Sequence, residues 1–112
     1  MAFLDPTPLE AALLKEFHRL YEARGFPAPE QVRVRSRENT GAGRYVDLDV
    51  KVVQSELEDG YLDLGGRFIE MEGMPNGLMA VVRIKDHRTD QLEIAVYGND
   101  PWDGQEREWS IA

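Results

Sequence analysis

The hydrophobic period of this chain changes once, near Pro27 and Pro29, and this change limits the possible folds more than any other feature. Before the prolines, apolar residues recur at steps of three and four, which is the pattern of an amphipathic helix. These residues are Leu9, Leu13, Phe17, Leu20 and Tyr21. After the prolines, apolar and polar residues alternate, which is the pattern of half-buried strands. The chain therefore predicts one helix followed by strands.

The helix has boundary signals at both ends. Thr7 and Glu10 have the spacing of a capping box, and Pro8 suits the first helical position because its missing N–H is not needed there. Gly25 can end the helix in a left-handed conformation, and the prolines beyond it prevent continuation. Together these signals predict a helix from about Pro8 to Arg24.

The first predicted strands form a hairpin. Alternating runs around Val32–Val34 and Val46–Val52 flank a glycine-containing turn over residues 39–43. Residues 61–72 are also rich in strand-forming side chains, but Gly65-Gly66 interrupts them. This interruption indicates a bulge or a break in the strand.

A second hairpin is predicted later in the chain. Residues 74–77 carry a turn signal, residues 78–85 a strong strand, and residues 86–90 a loop that leads to the next strand. A last strand is predicted over residues 106–111. The chain should contain five or six strands within about residues 31–111.

No strand–helix–strand pattern occurs, so a parallel sheet is not expected. The predicted class is α+β, with one N-terminal helix packed on a curled, mainly antiparallel sheet, in a single domain over residues 1–112. One helix of about 17 residues covers only part of one sheet face. Either the sheet curls strongly around the helix, or the second face is covered by long loops or by another copy of the chain.

The charge of the chain is strongly negative and unevenly distributed. The net charge is −8, and residues 47–72 hold eight acidic side chains against Lys51 and Arg67. A negative surface repels phosphate backbones, so we expect no nucleic-acid binding and favour a basic protein as partner. Solubility alone is the simpler interpretation of the same charge.

Composition also limits the compartment and the chemistry. The chain has no cysteine, which excludes disulfides and thiolate chemistry. It contains neither a signal-peptide pattern nor an apolar run long enough to cross a bilayer, so we expect a cytoplasmic protein that does not enter membranes.

No motif with a defined chemistry occurs. His18 and His87 belong to no metal-binding pattern, and no serine has the setting of a catalytic nucleophile. Asp47 and Asp49 share one strand face and could chelate a hard cation or act as a catalytic pair. An exposed strand of alternating charge gives the same pattern. We expect no catalytic residue, no metal site and no cofactor.

Recognition of a partner is better supported. The loop over residues 99–104 places Trp102 among acidic residues, a composition typical of binding hot spots. In the alternative interpretation, the Trp102 ring folds back and closes the end of the sheet. The candidate partner-binding residues are Trp102, Asp100, Asp103, Tyr97, Glu70 and Glu72.

Four arginines cluster in the first predicted hairpin. If they shared one face they could bind an anion, but they could equally pair across the sheet with Asp47 and Asp49, which is the favoured interpretation. The four are Arg33, Arg35, Arg37 and Arg44.

Three segments resemble a group of small bacterial proteins of unassigned function. They are residues 37–45 (RENTGAGRY), 69–77 (IEMEGMPNG) and 97–102 (YGNDPW), within about Val32 to Trp102 and excluding the helix. The group pattern is T-G-x-G-aromatic, then E-G-L-x-x-G, then Y-x-x-x-P-W. This chain departs from it at Arg44 and Met74. Some such small acidic proteins look like the neutralising partners of toxin–immunity systems.

The leading hypothesis is a non-catalytic protein-binding module with an acidic surface, which acts as an inhibitor or immunity-type factor on a basic protein. The alternative is a small-molecule-binding or hydrolytic domain with a pocket between helix and sheet, lined by carboxylates and by Tyr21, Tyr61 and Tyr97. A third hypothesis is a structural homodimer formed through the second sheet face or an edge strand.

Overall fold

The computed structural model describes residues 2–51 and 56–112, which form one α-helix and seven strands. The helix, α1, spans Pro8–Tyr21 and continues into a 3₁₀ turn over Glu22–Arg24. The strands are β1 (Val32–Asn39), β2 (Gly43–Val50), β3 (Gly60–Asp63), β4 (Ile69–Met71), β5 (Met74–Lys85), β6 (Arg88–Val96) and β7 (Trp109–Ile111). The predicted α+β class is confirmed.

Both predicted boundary signals of the helix are present. The Thr7 side chain accepts the backbone N–H of Glu10 at 3.2 Å, and the Glu10 carboxylate accepts the N–H of Thr7 at 3.1 Å. At the other end Gly25 has φ +87° and donates its N–H to the carbonyl of Glu22. The capping box and the glycine stop are confirmed.

All strand pairs are antiparallel, and the sheet order is β1-β2-β6-β5-β4-β7, with β3 also paired to β5. The run over residues 61–72 is divided into β3 and β4, which pair with two successive parts of β5. Gly65 and Gly66, with φ +65° and +87°, turn the chain between them. The predicted interruption is therefore a complete break, and the sheet has more strands than the predicted five or six.

Two turns are tighter than predicted. The loop predicted over residues 86–90 is a two-residue turn of Asp86 and His87, both with positive φ. The Asp59 carboxylate accepts the His87 N–H at 2.9 Å, which holds this turn in place. The turn predicted over residues 74–77 lies inside β5, because the chain already reverses at Gly73, where φ is +83°.

The ends of two predicted strands also differ. The last strand begins at Trp109 instead of residue 106. In the first hairpin, β2 ends at Val50, and Val52, its predicted last apolar residue, lies outside the described residues.

The core lies between α1 and one face of the sheet, the inner face. Leu9, Leu13, Leu14 and Phe17 of α1 are buried. They belong to one apolar cluster with alternate residues of the strands, which in β5 are Leu78, Ala80, Val82 and Ile84. The change of period in the sequence therefore corresponds to one helix layer on one sheet.

On the opposite face, the outer face, the described residues form no second layer of helices or strands. The shortest dimension of the molecule is 20 Å, the thickness of one helix packed on one sheet. Side chains on this face of the central strands are half-buried or exposed: Tyr45, Met79, Val81, Glu93 and Ala95. The described loops therefore do not cover the outer face. Within residues 2–51 and 56–112, no helix has the length and apolarity needed to cross a membrane.

Candidate functional site

Trp102 is part of the core, as the alternative interpretation of its loop predicted. Its side chain is 1% exposed, and its indole N–H donates to the carbonyl of Gln105 at 2.8 Å. Its backbone N–H donates to the carbonyl of Gly41 at 2.9 Å. In this structure the ring is not accessible to a partner, so we do not include Trp102 in the candidate surface.

Beneath Trp102 lies a buried ionic network of Glu10, Arg37, Arg44 and Glu106. The Arg44 guanidinium, 4% exposed, lies 5.0 Å from the centre of the Trp102 ring. It donates to Glu10 at 3.1 Å and to Glu106 at 2.5 Å. Arg37 donates to both oxygens of Glu10, which is fully buried. The network joins the start of α1, the first hairpin and the segment before β7.

The network fixes the ionisation of Glu106. Burial alone would raise the pKa of this carboxyl, but hydrogen bonds from Thr7, Arg44 and the backbone of Leu9 outweigh it and lower the pKa below its usual value. Glu106 also accepts the N–H of Leu9 at 3.0 Å, so it satisfies a free donor at the helix start.

The four arginines of the first hairpin fall into two pairs, and a bulge in β1 decides where Arg37 belongs. The register of β1 against β2 shifts between Val34 and Ser36, so Arg37 faces the opposite side of the sheet from Arg33 although both have odd numbers. Arg33 and Arg35 both donate to Asp49 on the outside, whereas Arg37 and Arg44 reach Glu10 on the inside. Each arginine therefore has a carboxylate partner within the fold.

The aspartates predicted as a possible cation-binding or catalytic pair are hydrogen-bonded to side chains of the first hairpin and of β6. Asp47 accepts from Ser36 at 2.9 Å and from Gln91 at 3.1 Å. The Asp49 carboxylate accepts hydrogen bonds from Arg33 and Arg35. The two carboxylates bind different partners and do not converge on a shared point.

The acidic groove is the broad surface over the outer side of β4, β7 and the start of β5. Its volume is about 1120 Å³, and it is lined by Phe68, Glu70, Glu72, Pro75, Asn76, Glu108 and residues between them. None of its three carboxylates forms an ion pair with a lysine or arginine of the described chain. It contains Glu70 and Glu72 from the candidate set, together with Glu108.

Two of these acidic residues occupy opposed backbone positions. Glu72 donates its backbone N–H to the carbonyl of Glu108 at 2.9 Å, so the two residues lie opposite each other just beyond the paired ends of β4 and β7. Like charges directly opposite in a sheet are destabilising. The nearby Arg107 is held by Asp103 through two hydrogen bonds, and this pairing lowers the pKa of Asp103 to about 2. Asp103, which lies beside the groove, therefore already has Arg107 as its cationic partner.

The aromatic groove adjoins the acidic groove and has a volume of about 420 Å³. It is lined by apolar and aromatic side chains and by two charged ones of opposite sign: Phe68, Met79, Val81, Tyr97, Asp63 and Arg67, together with Leu64, Gly66, Asn76 and Ala80. Phe68 and Tyr97 are 36% and 44% exposed, which is high for side chains of their size. Phe68 and Asn76 line both grooves, so the two form one continuous surface.

The last candidate residue, Asp100, holds the loop beside this surface. Its carboxylate accepts from the Asn76 side chain at 3.1 Å. The Tyr97 N–H donates to the carbonyl of Gly77 at 3.0 Å, which ties the same loop to β5. Tyr97, Glu70, Glu72 and Asp100 therefore lie in one region, whereas Trp102 lies beneath it in the core.

The three segments that carry the family resemblance meet at this end of the sheet. Segment 97–102 contacts segment 37–45 through Trp102 and Gly41, and segment 69–77 through Tyr97 and Gly77. No family model, curated protein or solved structure matches the chain. The resemblance therefore stays a prediction.

The space between α1 and the sheet offers no support for the alternative pocket. Leu13, Phe17, Leu48 and Val50 are buried in it. Four prominent grooves on the described residues are lined by loops and strands and by no residue of α1. Tyr21 donates its hydroxyl to the carbonyl of Asp63 at 2.7 Å, and Tyr61 is exposed on β3.

Sequence reasoning missed Phe68 and Glu108 as members of the surface. The signal for both was the alternation of their strands: Ile69 and Met71 face inward, as do Trp109 and Ile111, so the intervening and flanking residues face outward. The pairing of β4 with β7 could not be deduced, because 37 residues separate the two strands in sequence.

Proposed function

We propose that this protein is a non-catalytic protein-binding module that binds a basic protein through the acidic groove. One observation carries the proposal: Glu70, Glu72 and Glu108 stand together on an open surface and form no ion pair with a cation of the described chain, whereas the buried carboxylates of the same fold are paired. A partner that brings cations would supply the missing charge, accelerate association and fix the orientation of the complex.

The position of Glu72 opposite Glu108 supports the same proposal. Like charges at opposed positions of a sheet cost stability, and Arg107, the nearby cation whose charge interacts with Glu72, is already held by Asp103. Local features that oppose stability are typical of functional surfaces. A cation of the partner placed between the two carboxylates would turn this repulsion into attraction.

The finer proposal is that the module acts as an inhibitor or immunity-type factor. A row of carboxylates resembles a phosphate backbone in charge, so a basic surface that binds phosphates would also bind the acidic groove. Occupying that surface would block its usual ligand. The charge of −8 favours rapid capture of such a partner.

The test compares two triple variants of equal charge. In the first, Glu70→Gln, Glu72→Gln and Glu108→Gln remove the acidic groove. In the control, Glu30→Gln, Glu38→Gln and Glu58→Gln remove three exposed carboxylates elsewhere. Each immobilised protein is exposed to native lysate at low salt and washed at rising salt, and captured proteins are identified by mass spectrometry.

We expect the unmodified protein and the control to capture the same basic partner, and the groove variant to lose it. Binding should weaken steeply between low and high salt because exposed charges are screened. Equal capture by both triple variants, or no specific capture by the unmodified protein, would contradict the proposed function.

A further inference from the structure

The point where the two grooves meet is shaped by Gly77. This residue has φ +74°, and a Cβ added there would lie 2.9 Å from the Phe68 ring and 2.8 Å from the carbonyl oxygen of Ile69. The absence of a side chain at Gly77 therefore lets the Phe68 ring lie close to β5, at the boundary between the acidic and the aromatic groove. The ring is positioned by the backbone and yet partly exposed.

The aromatic groove has the size and composition of an anchor site. Its volume of about 420 Å³ falls in the range of about 300–1,000 Å³ typical of ligand pockets, and Phe68, Met79 and Tyr97 give it an apolar wall. Interfaces usually concentrate their binding energy where an apolar or aromatic side chain fills such a depression. The acidic groove begins at the same Phe68 ring.

The charge of this surface selects the occupant. A second copy of the chain also carries −8, and the acidic groove would repel it. A segment with cations alone would leave the Phe68 and Tyr97 rings in water. Charge complementarity and apolar burial are satisfied together by a basic segment that also carries one bulky apolar side chain.

Building on the proposed function, we propose that the partner inserts one bulky apolar side chain into the aromatic groove and lays its basic residues over the acidic groove. The order of strands gives the spacing. From Tyr97 at the end of β6 to Glu108 beside β7 the surface crosses three strand intervals. These amount to about 14 Å across the strands, so an extended segment needs at least about four residues to reach from one groove to the other.

Synthetic peptides provide a defined probe. The first peptide has one phenylalanine, three glycine or serine residues, and then three arginines. The second replaces the phenylalanine with serine, and the third carries the phenylalanine directly beside the arginines. Each is titrated into the full-length protein and followed by backbone amide chemical shifts, which report weak binding and its location.

We expect the first peptide to bind about tenfold more tightly than the second, and more tightly than the third. The difference between the first two should vanish in Phe68→Ala, because the groove then lacks its wall, and should persist in the control Tyr61→Ala. Tyr61 is also an exposed aromatic, but on β3. Amide shifts for the anchor should centre on Phe68, Gly77 and Tyr97.

The outcomes separate the two proposals. If the first two peptides bind equally and the Glu70→Gln, Glu72→Gln, Glu108→Gln variant binds neither, the acidic groove acts without an anchor and this inference is wrong. If no peptide depends on those carboxylates, the proposed function itself fails. Concentration-dependent dimerisation that Phe68→Ala abolishes would identify a second copy as the occupant and would also overturn the inference.

Discussion

The buried ionic network and the acidic groove place carboxylates in opposite conditions. In the network, Glu10 is fully buried and accepts from Arg37, Arg44 and the backbone of Thr7. In the acidic groove, Glu72 and Glu108 occupy opposed, solvent-exposed positions, and neither forms an ion pair among the described residues. One region uses charge to join elements of the fold, and the other leaves charge available on the surface.

This difference indicates where function should be sought. A carboxylate buried without partners would be very costly, so the pairing of Glu10 is required for folding. A solvated carboxylate has no such requirement, and its placement beside another carboxylate brings the free protein no stability. Substitutions in the two regions should therefore change different properties, which the following predictions use.

The largest effect is expected from breaking the network at its centre. Arg44→Met should lower the free energy of unfolding by about 3–5 kcal/mol, because Glu10 and Glu106 lose a buried partner. The measurement is urea unfolding followed by circular dichroism. Arg35→Met is the control, since Arg35 bonds Asp49 on the exposed side of the same hairpin and should cost less than about 1 kcal/mol. Similar losses in both variants would remove the distinction between the regions.

A smaller loss is expected from Trp102→Phe. The phenyl ring keeps most of the packing but leaves the carbonyl of Gln105 without its donor and a small void beside Arg44. We expect a loss of about 2 kcal/mol in the free energy of unfolding. Partner capture should remain. If stability is unchanged and capture is lost, Trp102 contacts the partner directly.

The helix and the hairpins could be predicted from the sequence because their signals are local. Thr7, Glu10 and Gly25 fix the helix by contacts within a few residues, and each was identified at its observed position. The alternation of β2 also predicts that the Arg44 side chain faces inward. Arg44 lies an even number of residues from Val46, Leu48 and Val50, all of which face inward.

The network and the groove could not be predicted, because distant pairings create both. The local pattern identifies Glu10 only as a capping residue, because Arg44, which donates to it, lies 34 residues later in the sequence. The bulge after Val34 turns Arg37 inward, and no residue pattern marks that bulge. Glu72 and Glu108 meet only through the pairing of β4 with β7. The acidic residues of segment 47–72 are therefore of two kinds. Asp49 forms ion pairs, whereas Glu70 and Glu72 are exposed and form none among the described residues.

Acid should weaken the network in a defined direction. The pKa of Glu106 is lower in the folded protein than its usual value, so the stability it contributes is full above the unfolded pKa of about 4.3 and is lost as the pH falls through the folded pKa. Glu106→Gln should therefore lower the free energy of unfolding by about 1–2 kcal/mol at pH 7. The difference in the free energy of unfolding between this variant and the unmodified protein should become smaller below about pH 4.3.

The measurement is urea unfolding from pH 7 down to pH 2. Asp103→Asn is the matched control, since the ion pair of Asp103 with Arg107 is exposed and screened by solvent and therefore contributes little to stability. Its difference from the unmodified protein should stay small throughout and close only towards the acid end. A Glu106→Gln gap that is constant with pH would mean that the charge of Glu106 does not stabilise the fold.

The smallest effect, and the one opposite in sign, is expected in the acidic groove. Glu72→Gln and Glu108→Gln each remove one member of the like-charge pair, so each should raise the free energy of unfolding by a few tenths of a kcal/mol. Glu70→Gln is the control because Glu70 lies opposite Ser110, not another acid, and should be neutral. Salt should abolish the gain by screening the repulsion in the unmodified protein.

This small gain in stability is most informative when it is compared with partner capture by the same variants. Suppose that Glu72→Gln stabilises the protein and weakens capture of the partner. The Glu72 carboxylate then lowers the stability of the fold and contributes to recognition, a combination that a purely structural role does not explain. A loss of stability in both variants would show that Glu72 and Glu108 have favourable partners after all. The groove would then resemble the network, and the contrast on which the proposed function rests would disappear.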